Sequence, residues 1–254
     1  MSNTESIETC PDCKFELYNP DEPPVKCPEC GTKLRDEVHH YLNIRMIDPL
    51  RDAAHDRPLR YDSLGRRLRD ESLVTILIDF GFRADEARQL KRSMFRLDDG
   101  ELVIPGRIQK DYPREDISPG SATLRIDPYN HFGTVRLLKS YFQSEWYQSQ
   151  DTEYVFPSRQ SDQMSLQSIR NIVTELAVHA SEMCEEDSSR TPFTVLRSDG
   201  EPADPEELHP HAFRHSLANY MLADPDTDLF EVRNRLRHRS ILTTERVYDH
   251  FQRR

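Results

Sequence analysis

Lysine is scarce in this chain. Of its 254 residues 34 are basic, but only 6 of these are lysine and 28 are arginine, against 45 acids, for a formal net charge of −11. A uniformly acidic surface repels phosphate, so the total charge by itself argues against a nucleic-acid partner. Excess acid with few lysines is also the pattern of proteins from high-salt cells, where surface carboxylates keep a chain hydrated. A halophilic origin is therefore expected, and in that setting local charge says more about partners than the total does. Long apolar runs are missing too. The longest, "LVTILI" (Leu73 to Ile78), is too short to cross a membrane and reads as a buried helix segment. The opening "MSNTESIETC" has neither a basic stretch nor an apolar stretch of the secretory kind, so a cytoplasmic location is expected. No internal repeat is visible. What remains, 36% hydrophobic and 31% charged, suits one large globular domain with a small satellite.

Four of the five cysteines form "CPDC" (Cys10, Cys13) and "CPEC" (Cys27, Cys30), the second followed by Gly31. A CxxC turn lets two thiolates reach one ion, and two such turns complete a tetrahedral sulfur shell, which suits zinc. Proline stiffens each turn, and Gly31 permits a positive φ after the second. Structural zinc is the expected occupant. Two disulfides and a rubredoxin-type iron use the same cysteines, the former disfavoured in a reducing compartment. With all four positions filled by protein, such a module binds or docks and does not react. The lone Cys184 reads as a neutral helix residue.

The spacing predicts a zinc ribbon over residues 1–36, a connector with one short helix over 37–60, and a regular domain over 61–254. In that domain Leu64, Leu68, Leu73, Ile76 and Leu77 mark a helix ending near Gly81, and "ADEARQLKRSMF" a second one. "GELVIPG" and "ATLRIDP" read as strands flanking an excursion that holds Lys110. "TVRLLKSYFQSEWY" and the stretch from Ser165 are amphipathic helices, and residues 185–208 read as loop. Three helices finish the chain: from His211, from Asp228 with a D-x-x-E capping box to Glu231, and from about Thr243. The fold class expected is mainly α with a small antiparallel β-sheet, plus the small N-terminal zinc ribbon.

The densest chemistry is "HPHAFRH", His209 to His215. As a metal site, His211 and His215 would share a helix face at i, i+4, but no nearby carboxylate supports them and Arg214 would sit beside the cation. As a phosphate site the stretch is better equipped. His211 and Arg214, at i, i+3, project from the first turn of a helix whose N–H groups add positive charge, and a guanidinium clamps phosphate oxygens with two donors. Downstream lie Arg233, Arg235, Arg237, Arg239, Arg246, Arg253 and Arg254. They suit a phosphate backbone about as well as a solvated, salt-bridged helix surface.

"HPHAFRH…LRHRSILTTERVYDHF" resembles the C-terminal signature of the tyrosine recombinases, the phage-type integrases. "FGFRADEARQL" resembles that family's first arginine box, and "DTEYVFPSR" the strand before its penultimate helices. The resemblance covers roughly residues 61 to 254 in consistent order. It implies an active site of Arg83, Lys110, His211, Arg214, His238 and Tyr248. Tyr248 would attack a phosphodiester of double-stranded DNA to form a 3′-phosphotyrosyl link. Arg83 and Arg214 would bracket the non-bridging oxygens, and Lys110 would protonate the departing 5′-oxygen. His211 would exchange a proton with Tyr248, and His238 would bond a non-bridging oxygen. No catalytic metal or cofactor is implied. Taken singly, these are ordinary residues: a helix-start arginine, a hairpin lysine, a helix-capping histidine, a core tyrosine.

Two departures from the family pattern stand out. Arg237 precedes His238 where the family has glycine for a left-handed turn, so it would either distort that turn or supply a phosphate contact. Residues 37–60 are also too short for the helical core-binding domain that completes the family's clamp around DNA. The zinc ribbon or an accessory protein would have to replace it, or recombination is lost. The resemblance implies a monomer when free, a tetramer on DNA, and a mobile-element recombinase. The other functions weighed are a non-catalytic DNA-binding protein of the same fold, a type IB topoisomerase and, last, a metallohydrolase built on the histidines.

Overall fold

The computed structural model describes residues 9–16, 26–32, 34, 38–58, 63–109, 120–158 and 160–238. The chain divides into two compact units, Met1–His39 and His40–Arg254.

The first unit is built from two matching turns. Lys14 N–H donates to Cys10 O at 3.0 Å, and Gly31 N–H donates to Cys27 O at 2.9 Å. Both turns leave through the left-handed region, at φ 63 for Lys14 and φ 76 for Gly31. Gly31 therefore meets its expectation, and Lys14 plays the same part in the other turn without glycine's freedom.

The second unit is wrapped around one helix. Strand β1 (His40–Leu42) and helix α1 (Ile47–Asp56) come first, then α2 (Leu64–Phe80). Ser63 caps α2 by accepting from Arg66 N–H, and Gly81 ends it at φ 59, ψ 37. Every residue from Asp70 to Phe80 is buried, "LVTILI" included, so α2 is the core helix and packs against α1, α4 (Thr134–Gln143) and α7 (Pro210–Leu222). Burial of its acids is matched by cations. Asp70 meets Arg57 at 2.7 Å and Arg69 at 2.8 Å, and Glu71 meets Arg51 and His55, each at 2.8 Å. Asp79 pairs with Arg235 and accepts from the Thr134 hydroxyl at 2.9 Å.

The second expected helix stops early. Helix α3 covers only Ala84–Arg88, because the backbone turns to pair elsewhere: Val155 N–H donates to Leu90 O and Arg92 N–H to Glu153 O, both at 2.9 Å. Strands β2 (Phe95–Arg96), β3 (Glu101–Ile104) and β4 (Ala122–Arg125) form one antiparallel sheet in the order 2-3-4. A break at Ser144 splits the next expected helix into α4 and α5 (Glu145–Gln148). Helix α6 (Leu166–Glu186) opens at Ser165 as expected, and Cys184 is buried on it.

The stretch 185–208, expected as loop, carries β5 (Val195–Arg197) and β6 (Pro202–Ala203). They complete a second antiparallel sheet, ordered 1-5-6, with Leu42 opposite Val195. The 37–60 stretch thus supplies an edge strand and a helix whose Ile47, Leu50, Ala53 and Ala54 are buried in the core. The last described helix, α8 (Leu229–Leu236), has the expected box: Glu231 N–H donates to Asp228 Oδ1 at 2.8 Å. Among the described residues the fold is mainly helical with two small antiparallel sheets, where one was expected. The helix expected from about Thr243 lies outside the described residues.

Candidate active site

Three segments far apart in sequence meet at one arginine. Arg214 lies one turn into α7 and is 1% exposed. Its Nη1 donates to Gly81 O at 2.7 Å and its Nη2 to Leu236 O at 2.5 Å. These carbonyls belong to the C-terminal ends of α2 and α8, where helices leave acceptors unsatisfied. The guanidinium, a planar fork, ties both ends to α7. Gly81 also has to be small: a Cβ there would lie 2.5 Å from Leu236 Cδ2.

Two residues past Gly81, Arg83 takes the N-cap of α3 in an extended conformation, φ −74 and ψ 153. Its N–H donates to Glu86 Oε2 at 3.0 Å, while its Nη1 stands 3.6 Å from Glu86 Oε1, longer than a hydrogen bond. Two residues past Leu236 comes His238, which is buried, its N–H on Arg233 O at 2.9 Å. His211 is exposed on the otherwise buried first turn of α7, and its ring meets that of His215 edge-on, centroids 4.7 Å apart. His215 is itself buried, and His209 serves as the N-cap of α7. The chain segments bearing Arg83, His211, Arg214 and His238 are thus stitched together through Arg214. Lys110 and Tyr248 lie outside the described residues.

Two further residues shape this region. Glu86 is 2% exposed, and its spacing of three from Arg83 is the signal by which a capping carboxylate is recognised. Arg237 keeps the left-handed turn that a glycine would make, at φ 57, ψ 38, so the turn is not distorted. Nor does its side chain face solvent: it is 4% exposed and donates to Phe80 O at 2.9 Å, Arg235 O at 3.0 Å and Glu86 Oε2 at 3.0 Å. Burial lowers the Arg237 guanidinium's pKa, and Glu86 pulls it back up. Arg235, equally enclosed, donates to Asp79 and to Arg125 O at 2.6 Å. Neither arginine belongs to a solvated helix surface.

Among the described residues, Cys10, Cys13, Cys27 and Cys30 form the one cluster able to hold a metal ion. Their sulfur atoms all lie within 4.8 Å of one another, with Cys10–Cys30 and Cys13–Cys27 both at 3.6 Å. Zn–S bonds of about 2.3 Å place tetrahedral sulfurs about 3.8 Å apart, so the set fits zinc. Sulfurs at 3.6 Å are not bonded to one another, so no disulfide joins these cysteines.

The phage integrase family model matches residues 61–254. The chain belongs to the phage integrase family. A tyrosine recombinase of Agathobacter rectalis is 26% identical over 185 residues, covering 72% of this chain and 48% of that protein. The chain therefore spans about half the length of that relative. Among solved structures, the XerA recombinase superposes with a TM-score of 0.54 at 19% identity, over 84% of this chain and 66% of that one. The XerH site-specific recombinase in a post-cleavage complex with its difH substrate gives 0.55 at 20%, over 84% and 50%. The Tn1549 transposon integrase with transposon right-end DNA gives 0.55 at 12%, over 91% and 67%. At these identities the likeness concerns the fold.

Proposed function

We propose that this phage integrase family member cuts and rejoins double-stranded DNA as a site-specific recombinase of mobile-element type. Tyr248 Oη attacks the phosphorus, the P–O5′ bond breaks, and a 3′-phosphotyrosyl link keeps the bond energy for rejoining. The tyrosine's proton passes to His211, and Lys110 gives a proton to the leaving 5′-oxygen. Arg83 and Arg214, with His238, offset charge on the non-bridging oxygens, so the scheme needs no metal at the phosphate. The observation carrying the reading is Arg214's grip on Gly81 and Leu236, which gathers the Arg83, His211 and His238 segments at one place.

In this reading residues 1–36 are a zinc ribbon that contacts DNA or a protein, 61–254 carry the catalytic residues with β1 and α1 of the 37–60 stretch packed into the same unit, and the enzyme works in the cytoplasm. An accessory protein or the ribbon serves as the second jaw of the clamp, and the free monomer assembles into a tetramer on DNA. A halophilic setting explains the acidic surface.

A duplex carrying a nick beside the cleavage site releases a short fragment on cutting and so traps the adduct. Wild-type protein should form that covalent adduct over a range of salt concentrations, and Tyr248→Phe should not. A wild type that binds DNA but gives no adduct at any salt would overturn catalysis. It would favour a second reading, a DNA-binding protein of the same fold, which the 1% exposure of Arg214 supports.

A further inference from the structure

We infer that Arg237 is a positioning residue that sets the direction of Arg83 by acting through Glu86. The inference rests on the recombinase reading above and deepens it. Arg237 holds a left-handed conformation at φ 57, which strains an L side chain and costs glycine nothing. Its guanidinium lies over the Phe82 ring, 4.5 Å from the centroid. Two of its acceptors, Phe80 O and Glu86 Oε2, flank Arg83 in sequence on either side, and Phe82 is its immediate neighbour.

The geometry at Glu86 gives this arrangement its consequence. Oε2 accepts from both Arg237 Nη2 and the Arg83 backbone, each at 3.0 Å, whereas Oε1 faces Arg83 Nη1 at 3.6 Å. A carboxylate 2% exposed has to be compensated by a nearby cation. Arg237 supplies that charge from inside the protein. Glu86 then holds Arg83 by its backbone, and the Arg83 guanidinium does not have to close onto the carboxylate. Without Arg237, Arg83 is the cation already facing Glu86. Tightening this 3.6 Å ion pair into a hydrogen bond would turn its guanidinium away from a bound phosphate. Arg237 is therefore no phosphate ligand, despite its place in the arginine-rich C-terminal segment.

The test uses the full chain, with single-turnover cleavage of the nicked duplex at saturating DNA and DNA affinity measured separately. Arg237→Gly relieves the backbone strain, yet it should cleave at least about tenfold more slowly with affinity changed less than about twofold. Adding Glu86→Gln should restore part of the lost rate, because a neutral amide no longer draws Arg83 in. Arg237→Lys, which keeps the charge, should also recover part of it. An unchanged rate in Arg237→Gly, or a double variant as slow as or slower than it, overturns the inference. Should Arg237→Gly fail to fold, the rates of Arg237→Lys and of the double variant decide by the same ordering against wild type. If wild type itself forms no adduct, the recombinase reading fails on its own, and a crystal structure of Arg237→Gly, or of the double variant beside wild type, decides the role of Arg237. The Arg83 guanidinium within about 3.2 Å of the residue 86 side chain only where Glu86 is charged and Arg237 absent supports it. Arg83 unmoved from 3.6 Å in Arg237→Gly, or equally displaced in the double variant, refutes it.

Discussion

Arg214 Nη1 donates to Gly81 O at 2.7 Å across 133 residues of chain. That bond joins the helix bearing the histidine–arginine box to the glycine turn that leads into Arg83. Its companion to Leu236 O does the same for the turn leading to His238. One buried side chain thereby fixes the mutual position of three motifs that are scattered in sequence.

Arg214→Lys should therefore harm both stability and catalysis. An ammonium is a point donor and cannot span two carbonyls as the guanidinium fork does, so Gly81 O or Leu236 O loses its partner. A buried acceptor left unsatisfied costs about 1–3 kcal/mol. Calorimetry should show a lower Tm, and adduct formation should be lost. A Tm equal to wild type would mean that the two carbonyl bonds are not the tie described here.

Gly81→Ala should destabilise for two independent reasons. The residue sits at φ 59, and the new Cβ would lie 2.5 Å from Leu236 Cδ2 and 3.3 Å from Leu217 Cδ2. Left-handed strain of about 1–2 kcal/mol adds to overpacking of similar size. Urea denaturation should report a loss of roughly 2–4 kcal/mol; a loss of only about 1–2 kcal/mol would show that the leucines yield easily, and one under about 1 kcal/mol would refute the backbone strain as well.

The features legible in the sequence are those decided locally. Gly81 as the end of α2, Ser165 as a cap and the Asp228–Glu231 box each need only a few neighbouring residues. Helix α3 was not legible at its C-terminus, since pairing with residues 153–155 ends it, and nothing near Arg88 announces that. The sheet of β1, β5 and β6 was missed for a similar reason. Its strands are two or three residues long, too short to alternate, and β1 meets β5 across more than 150 positions. At the site, the spacing of Arg83, His211, Arg214 and His238 was visible as a resemblance. The inward turn of Arg237 was not, because an arginine near phosphate-directed residues gives no local sign that a buried carboxylate awaits it.

Removing metal should unfold one unit and spare the other. The first unit is held by two turns and four cysteines, and a module this small depends on its ion for stability. Wild type should carry one zinc per chain by elemental analysis, and Cys27→Ser should lose it. The melting transition of the His40–Arg254 unit should stay within about 2 °C of wild type. Retention of a full equivalent of zinc by Cys27→Ser would place the ion elsewhere.

Asp79 should make the fold lose stability as pH rises from about 4 to about 6. Burial raises its carboxyl from 3.8 to about 6, against the opposing pull of Arg235, the Thr134 hydroxyl and the Asp127 N–H. The folded state therefore holds this proton more tightly than the unfolded chain. The resulting stability is fully present below pH 3.8 and is lost as pH passes through about 6. At about 1.4 kcal/mol per unit, the contribution is at most about 3 kcal/mol. Asp79→Asn removes the titration but also leaves Arg235 without its carboxylate, so the variant should be weaker than wild type at neutral pH. Other groups titrate alike in both proteins and cancel in the difference. Urea unfolding at pH 4, 5, 6 and 7 should thus show the gap between wild type and variant narrowing with pH. A gap that stays constant, or widens as pH rises, would show that Asp79 ionises no less readily in the folded protein than in the unfolded chain.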